Sequence, residues 1–237
     1  ETLFIEKEAP LQRSILSENI AGDTVIGHAL AHVQLIESLA GIDVSKKLQV
    51  ERCIALELER IAVHIGDTAA LCGDVAYQFG QAVCEALRTT IINTTQFWCG
   101  NRFGKGLIRP GGTNFPLNAK TVEEIVKVLP ISIPRYEEVA DRIFSLPSLL
   151  ARFEDIGIVA KKQALEIGAV GMAARSSGLM RDIRITHPFQ YFRHYEINPV
   201  VHQTGDVLAR ALQRKDEITE SARIIRNLID VWKDLDG

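Results

Sequence analysis

Residues 45–73 read SKKLQVERCIALELERIAVHIGDTAALCG, and this stretch decides the fold. Ser45 is a natural N-cap, because its hydroxyl can accept an orphan N–H of a helical first turn. Gly73 lies behind the last periodic residue. A helix running from just after Ser45 to about Leu71 puts Ile54, Leu58, Ile61 and Ile65 on one side. Cys53, Glu57, Arg60, His64 and Asp67 fall on the other, at spacings of four, three, four and three. Two readings of that polar stripe stay open. One is a solvated face carrying ion pairs between successive turns. The other is a buried charged network lining a cavity, in which burial and neighbouring charges shift pKa values toward proton transfer.

Working outward, helical periodicity continues. Val25, Ile26, Ala29, Leu30, Val33, Ile36 and Leu39 keep the 3.6-residue period from about Thr24 to Ala40, with Asp23 as N-cap and Gly41 as stop. A further helix is expected from near Asp74 to Cys99, ended by Gly100. The Gly- and Pro-rich stretch 101–116 reads as an ordered loop. It follows no strand and opens no helix, so it is neither a P-loop nor a dinucleotide fingerprint. Beyond it, short helices are expected over Thr121 to Val128, opened by a Thr121/Glu124 capping box, and Ile133 to Leu146, with Pro130 and Pro147 as punctuation. Another covers Val159 to Ile167. Residues 168–201 read as irregular with room for short strands, and a last helix runs from Asp206 to Lys233. The fold class is therefore mainly α, a multi-helical bundle with little β, and 1–237 reads as a single domain.

The bulk numbers narrow the function. A net charge of −3 over 237 residues, with 46% hydrophobic and 24% charged, gives no reason to expect a nucleic-acid partner. No apolar run reaches the roughly 18 residues that span a bilayer. Cys53, Cys72, Cys84 and Cys99 make no C-x-x-C pair and read as reduced, packed thiols in a cytosolic compartment. His28 and His32 stand at i and i+4, as metal ligands do, but no third ligand is evident. Arg175 to Gly178, Arg181 to Arg184 and His187-Pro188 form a basic cluster, either a surface loop or an arginine set facing a cofactor or anion.

Taken together these segments resemble one family. The run Leu56 to Asp67, continuing through Gly73-Asp74, is similar to the long helix in the large subunit of group 4, formate-hydrogenlyase-type [NiFe]-hydrogenases. So, in order, are Phe79-Gly80, Gly100, Arg102, Pro110-Gly111-Gly112, Ala174 to Gly178, Arg181-Asp182, His187-Pro188 and Gly205 to Arg210 with Glu217, Ser221, Ile224 and Ile225. The quinone-side large subunit of respiratory complex I shares the pattern more distantly. The resemblance covers almost the whole chain. In those hydrogenases an E-R-x-C-G-I-C-x-x-x-H segment precedes the first long helix. Here the stretch is Glu18 to His28, and the two cysteine positions fall on Ala21 and Thr24. Alanine cannot bind nickel, and a threonine hydroxyl is a poor substitute for thiolate at a soft site. The family's second cysteine pair falls beyond Gly237. The tyrosine that contacts quinone in complex I falls on Gly22, and the arginine before the motif on Asn19.

The resemblance implies a large subunit of a membrane-associated, energy-converting redox complex, coupling electron transfer to proton or quinone chemistry without a nickel centre. It implies His28, Glu57, Arg60, His64 and Asp74 as a proton-handling network, and Arg175, Arg181 and Asp182 as cavity lining. No metal and no directly bound cofactor is expected. A quinone is the candidate substrate, and a [4Fe–4S] cluster belongs to a partner iron–sulfur small subunit. Other subunits would connect the chain to a membrane arm, on the inner face of the cytoplasmic membrane. The alternatives are a working [NiFe] hydrogenase, a non-catalytic structural subunit and a stand-alone histidine metalloprotein.

Overall fold

A computed structural model describes residues 2–6 and 9–235. Its elements are α1 (Thr2–Glu6), α2 (Pro10–Ser17), α3 (Ile26–Ala40), α4 (Lys46–Asp74), α5 (Gln78–Cys99), α6 (Ala119–Ile143), α7 (Pro147–Phe153), α8 (Lys161–Glu166), α9 (Gly171–Ser176), α10 (Ile183–Thr186), a 3-10 turn (Gln190–His194) and α11 (Val207–Asp234). Among the described residues no strand forms, and the only bridge is the isolated Arg109–Gly112 pair. The mainly α class is what the periodicity requires. The short strands expected within 168–201 are replaced by α9, α10 and the 3-10 turn. Among the described residues no helix is long and apolar enough to cross a membrane.

α4 is the central element. Ser45 caps it as expected, accepting the Leu48 N–H at 3.2 Å. Ile54, Leu58, Ile61 and Ile65 are all at most 1% exposed, each burial contributing about 1.5–3 kcal/mol. The helix is buried on two sides because α5 packs along one and α11 along another. At 29 residues it is about 43 Å long, so one helix carries both the core and the site.

Three boundaries differ from the sequence reading, each for a local reason. α3 starts at Ile26, and Asp23 does not cap it. Glu59 reaches across from α4 and accepts the N–H groups of Val25, Ile26 and Gly27 at 2.7, 2.6 and 2.9 Å. A carboxylate there also opposes the positive end of the helix dipole. Second, the two helices expected over 121–146 are one, α6, begun by Asn118 rather than a Thr121 capping box. Pro130 and Pro134 lie inside it. They are four residues apart and exposed, so the carbonyls of Val126 and Pro130, which lose their helical donors, lie on the outer face where water reaches them. Third, α4 runs on through Gly73 to Asp74, and α5 begins at Gln78, after a turn through Ala76 at φ +60°.

The loop 101–116 is ordered by buried carboxylates. Glu37 takes a two-pronged ion pair from Arg52 at 3.0 and 2.7 Å, and the Gly111 N–H at 2.8 Å. Glu18 accepts from Arg109 and from the Gly106 N–H. In this loop Gly104 serves packing, since a Cβ there would meet Ile26 Cδ1 at 2.5 Å.

Candidate functional site

The polar stripe of α4 does not face water. Glu57 is wholly buried and His64 is 8% exposed; Arg60 is half-buried, and Asp67, paired with Arg214 at 2.9 Å, lies nearest the surface. Spacings of three and four turn Glu57, Arg60 and His64 toward α11, which presents Gln213, Glu217 and Ser221 at intervals of four. The segment carrying α9 and α10 closes the cluster with Arg175, Asp182 and Arg184.

Two carboxylates organise it. Glu57 accepts from Arg184 Nη1 at 2.9 and 3.0 Å, from Ser221 Oγ at 2.6 Å, and pairs with Arg60 at 3.2 Å. Glu217 accepts from Arg175 at 2.8 and 2.5 Å, from Gln213 at 2.7 Å and from His64 Nε2 at 2.7 Å, with Arg60 at 3.5 Å. Asp182 holds the other edge of the Arg184 guanidinium at 2.6 and 3.0 Å. Three carboxylates thus face three guanidinium groups, and the cluster is neutral when His64 is neutral. Arg60 bridges the two halves.

Burial and pairing set the protonation states. Burial pushes Glu57 up, but Arg184, Arg60 and the Ser221 hydroxyl outweigh it and hold the carboxyl below its ordinary range. Glu217 follows the same pattern, with His64, Arg60 and Arg175 overcoming burial. Asp182 is likewise held low, its own burial outweighed by Arg184. For His64, burial dominates and lowers the pKa against the pull of Glu217, so the ring is neutral. Since ionised Glu217 can only accept, His64 Nε2 carries the hydrogen. Nδ1 is then a bare lone pair, buried without a partner.

These shifts share one sign for stability. As pH falls the unfolded chain takes up protons that the folded cluster refuses. The His64 contribution begins to be lost as pH drops through about 6.5, and those of the three carboxylates below about 4.5. The urea midpoint is expected to hold above pH 7 and fall below it, with His64→Gln removing the first part of the decline. A midpoint unchanged from pH 7 to 5 contradicts a buried neutral His64.

Of the residues singled out from sequence, Glu57, Arg60, His64, Arg175 and Asp182 come together here. Arg181 contributes only its carbonyl, which accepts from Arg175 at 3.1 Å; its own guanidinium donates to the Ala169 carbonyl at 2.9 Å. Asp74 is exposed at the end of α4, ten residues and about 15 Å beyond His64. His28 is half-buried on α3 and, among the described residues, shares no hydrogen bond or ion pair with the cluster; His32 packs at a tilt against Phe4 with ring centres 5.7 Å apart. Arg184, which the sequence places in the basic cluster, and Glu217 and Ser221, which it places in the family-like last helix, are site residues to which the sequence reading gives no part in the network; Gln213 it does not single out. The available signal is that Gln213, Glu217 and Ser221 interrupt the apolar pattern of the last helix at one regular interval.

The donor set does not fit a nickel–iron centre. Ala21 and Thr24 stand at the thiolate positions. The four cysteines are spread over α4 and α5, and burial pushes Cys53 and Cys84 up to about 12 and Cys72 to about 11, so they are protonated thiols.

Known proteins are similar to this chain in sequence. The family described as respiratory-chain NADH dehydrogenase, 49 Kd subunit, matches residues 74–236. An NADH-quinone oxidoreductase subunit from Campylobacter jejuni is 30% identical over 209 residues, covering 86% of this chain and 50% of that protein. Its counterpart from Opitutus terrae is 29% identical over 204 residues, covering 86% and 48%. NADH-quinone oxidoreductase subunit 4 from Thermus thermophilus is 29% identical over 205 residues, covering 86% and 50%. The chain spans about half the length of these relatives. The α9–α10 arginines and the α11 carboxylate that complete the cluster lie within the matched residues, and the chain belongs to the 49 Kd subunit family of respiratory-chain NADH dehydrogenase.

Proposed function

We propose that the chain is one helical unit of a redox-complex subunit that couples electron transfer to proton or quinone chemistry without nickel. The observation that carries this reading is the combination within one chain: the soft-metal positions are Ala21 and Thr24, while the buried charged cluster is complete. Its residues have separable parts. Glu57 and Glu217 fix Arg60, Arg175 and Arg184. His64 offers a buried basic nitrogen, the group that can take a proton, and its capacity is set by Glu217 behind it. Asp74 stands in water at the end of the same helix, available to a substrate or partner. A quinone is the substrate that fits the relatives' names. An iron–sulfur small subunit is the electron-transfer partner this reading requires. Other subunits would hold the chain at the inner face of the cytoplasmic membrane.

The completeness of the ion pairs favours a second reading, a clamp that only ties α4 to α11 and α9–α10. Asp74 is exposed and outside the cluster, so its variant probes the redox reading without disturbing the ion pairs. Asp74→Asn is expected to leave the unfolding free energy within about 0.5 kcal/mol of the parent. In the assembled complex it is expected to cut quinone reduction about a hundredfold, the scale of a lost acid–base group. Unchanged turnover takes Asp74 out of the reading, and unchanged turnover of the cluster variants in normally assembled complex favours the clamp. Glu57→Gln and His64→Ala in the same complex report on the cluster itself, with the amount of assembled complex measured alongside turnover.

A further inference from the structure

Gln190 carries two costs at one position. It opens the 3-10 turn at φ +47°, a backbone region that an L side chain enters only under strain. It is 7% exposed, yet its Oε1 accepts no hydrogen bond from any described residue. A buried acceptor without a donor is destabilising, and an apolar residue of similar size would avoid that cost.

The side chain lines a pocket of about 270 Å³ enclosed by the C-terminal half of α3, residues 42–44 and the 3-10 turn. That volume is just below the roughly 300–1,000 Å³ of drug-sized sites, so an occupant is small. The polar lining is Gln34, Glu37, Ser38, Asp43, Gln190 and Arg193, with Gln49 turned to the Val44 carbonyl. The Glu37 carboxylate is spent on Arg52 and the Gly111 N–H. Arg193 commits only Nε, which donates to the Pro188 carbonyl at 3.2 Å. Among the described residues the side chains of Gln34, Ser38 and Asp43 make no hydrogen bond or ion pair. Asp43 and Arg193 thus line one pocket with opposite charges and do not pair with each other. Two such charges select a solute that carries both signs. A zwitterion gives each a charge-assisted hydrogen bond, whereas a simple cation or anion satisfies one and is repelled by the other.

We propose that this pocket binds a small free α-amino acid, its carboxylate on Arg193, its ammonium on Asp43 and its side chain beside the Gln190 amide. A half-turn of that amide exchanges its donor and acceptor edges, so it serves a side chain of either kind. The site shares no residue with the α4–α11 charge cluster and is independent of the redox reading. The test is calorimetric titration of the chain with glycine, L-serine and L-asparagine. N-acetyl-L-serine, which lacks the ammonium, and L-serine methyl ester, which lacks the carboxylate, are titrated beside them. At least one of the three amino acids is expected to bind saturably at one per chain, and L-serine at least tenfold more tightly than either derivative. Asp43→Asn should weaken the zwitterion about tenfold and remove the discrimination against the acetylated form. Arg193→Gln should do the same for the ester. Both positions are exposed, so these variants keep the fold. Gln190→Leu, which removes the undonated oxygen at similar volume, is expected to melt no lower than the parent and to bind more weakly. The proposal is overturned if none of the three amino acids binds saturably, if both derivatives bind as tightly as L-serine, or if Asp43→Asn and Arg193→Gln leave the affinity unchanged. A Gln190→Leu variant that melts lower and binds equally well overturns the part given to Gln190.

Discussion

Glu217→Gln is expected to lower the free energy of unfolding by about 3–5 kcal/mol, the scale for removing one partner of a buried ion pair. Glu217 is 1% exposed, and its two oxygens serve Arg175, Gln213, His64 and Arg60. The amide keeps the shape but not the charge. Its nitrogen points a donor at groups that are already donors; Arg175 loses the carboxylate it pairs with, and Arg60 loses one of its two. Arg175, 3% exposed, cannot recover that loss from water. Urea unfolding followed by far-ultraviolet circular dichroism measures it. Pairing the change with Arg175→Met should return part of the stability, since the orphaned cation is then gone. A loss below about 1 kcal/mol for the single variant would mean that the cluster is solvated in solution. The functional reading would fail with it, because a neutral His64 depends on a dry, fully paired site.

Gly205→Ala is expected to cost more than about 3 kcal/mol, or to prevent folding, although it adds one methyl group. Gly205 has φ +69°, where an L side chain costs about 1–2 kcal/mol by itself. Its Cβ would also fall 2.2 Å from the Val159 carbonyl oxygen, a backbone atom that cannot swing aside. Its own groups hold the neighbouring segments of chain: the Gly205 N–H donates to the Ser176 carbonyl and its carbonyl accepts from the Val159 N–H, both at 2.9 Å. Moving any of these shifts the segment that delivers Arg175 to Glu217. A thermal melt of Gly205→Ala beside Gly22→Ala, where a Cβ meets nothing within 4 Å, separates this packing effect from general loss of glycine. Equal melting temperatures for the two would refute the close approach.

Much of the fold was legible because helix signals are local. Ser45, Gly41, Gly100 and Asp206 mark helix ends through hydrogen bonds or backbone angles that involve only their immediate neighbours. The sequence misleads where a distant or collective effect replaces a local one. Glu59 takes over the cap of α3 from 33 residues away. Pro130 and Pro134 fail to break α6 because they share its watered face, which depends on what packs opposite.

The same division applies to the site. By itself the sequence determined the class of the fold, the family to which its motifs conform, the absence of thiols at positions 21 and 24, and the alignment of Glu57, Arg60 and His64 on one helical face. Periodicity is a property of a single helix, so it survives without knowledge of partners. Whether that face was wet or buried lay outside its reach, since a charged stripe reads alike in both cases. Tertiary structure decided it by bringing Glu217 to His64 and Arg184 to Glu57, across 153 and 127 residues, into hydrogen-bonding distance. Charges this deep are tolerated only when every one is matched, and the matching groups come from other segments of the chain.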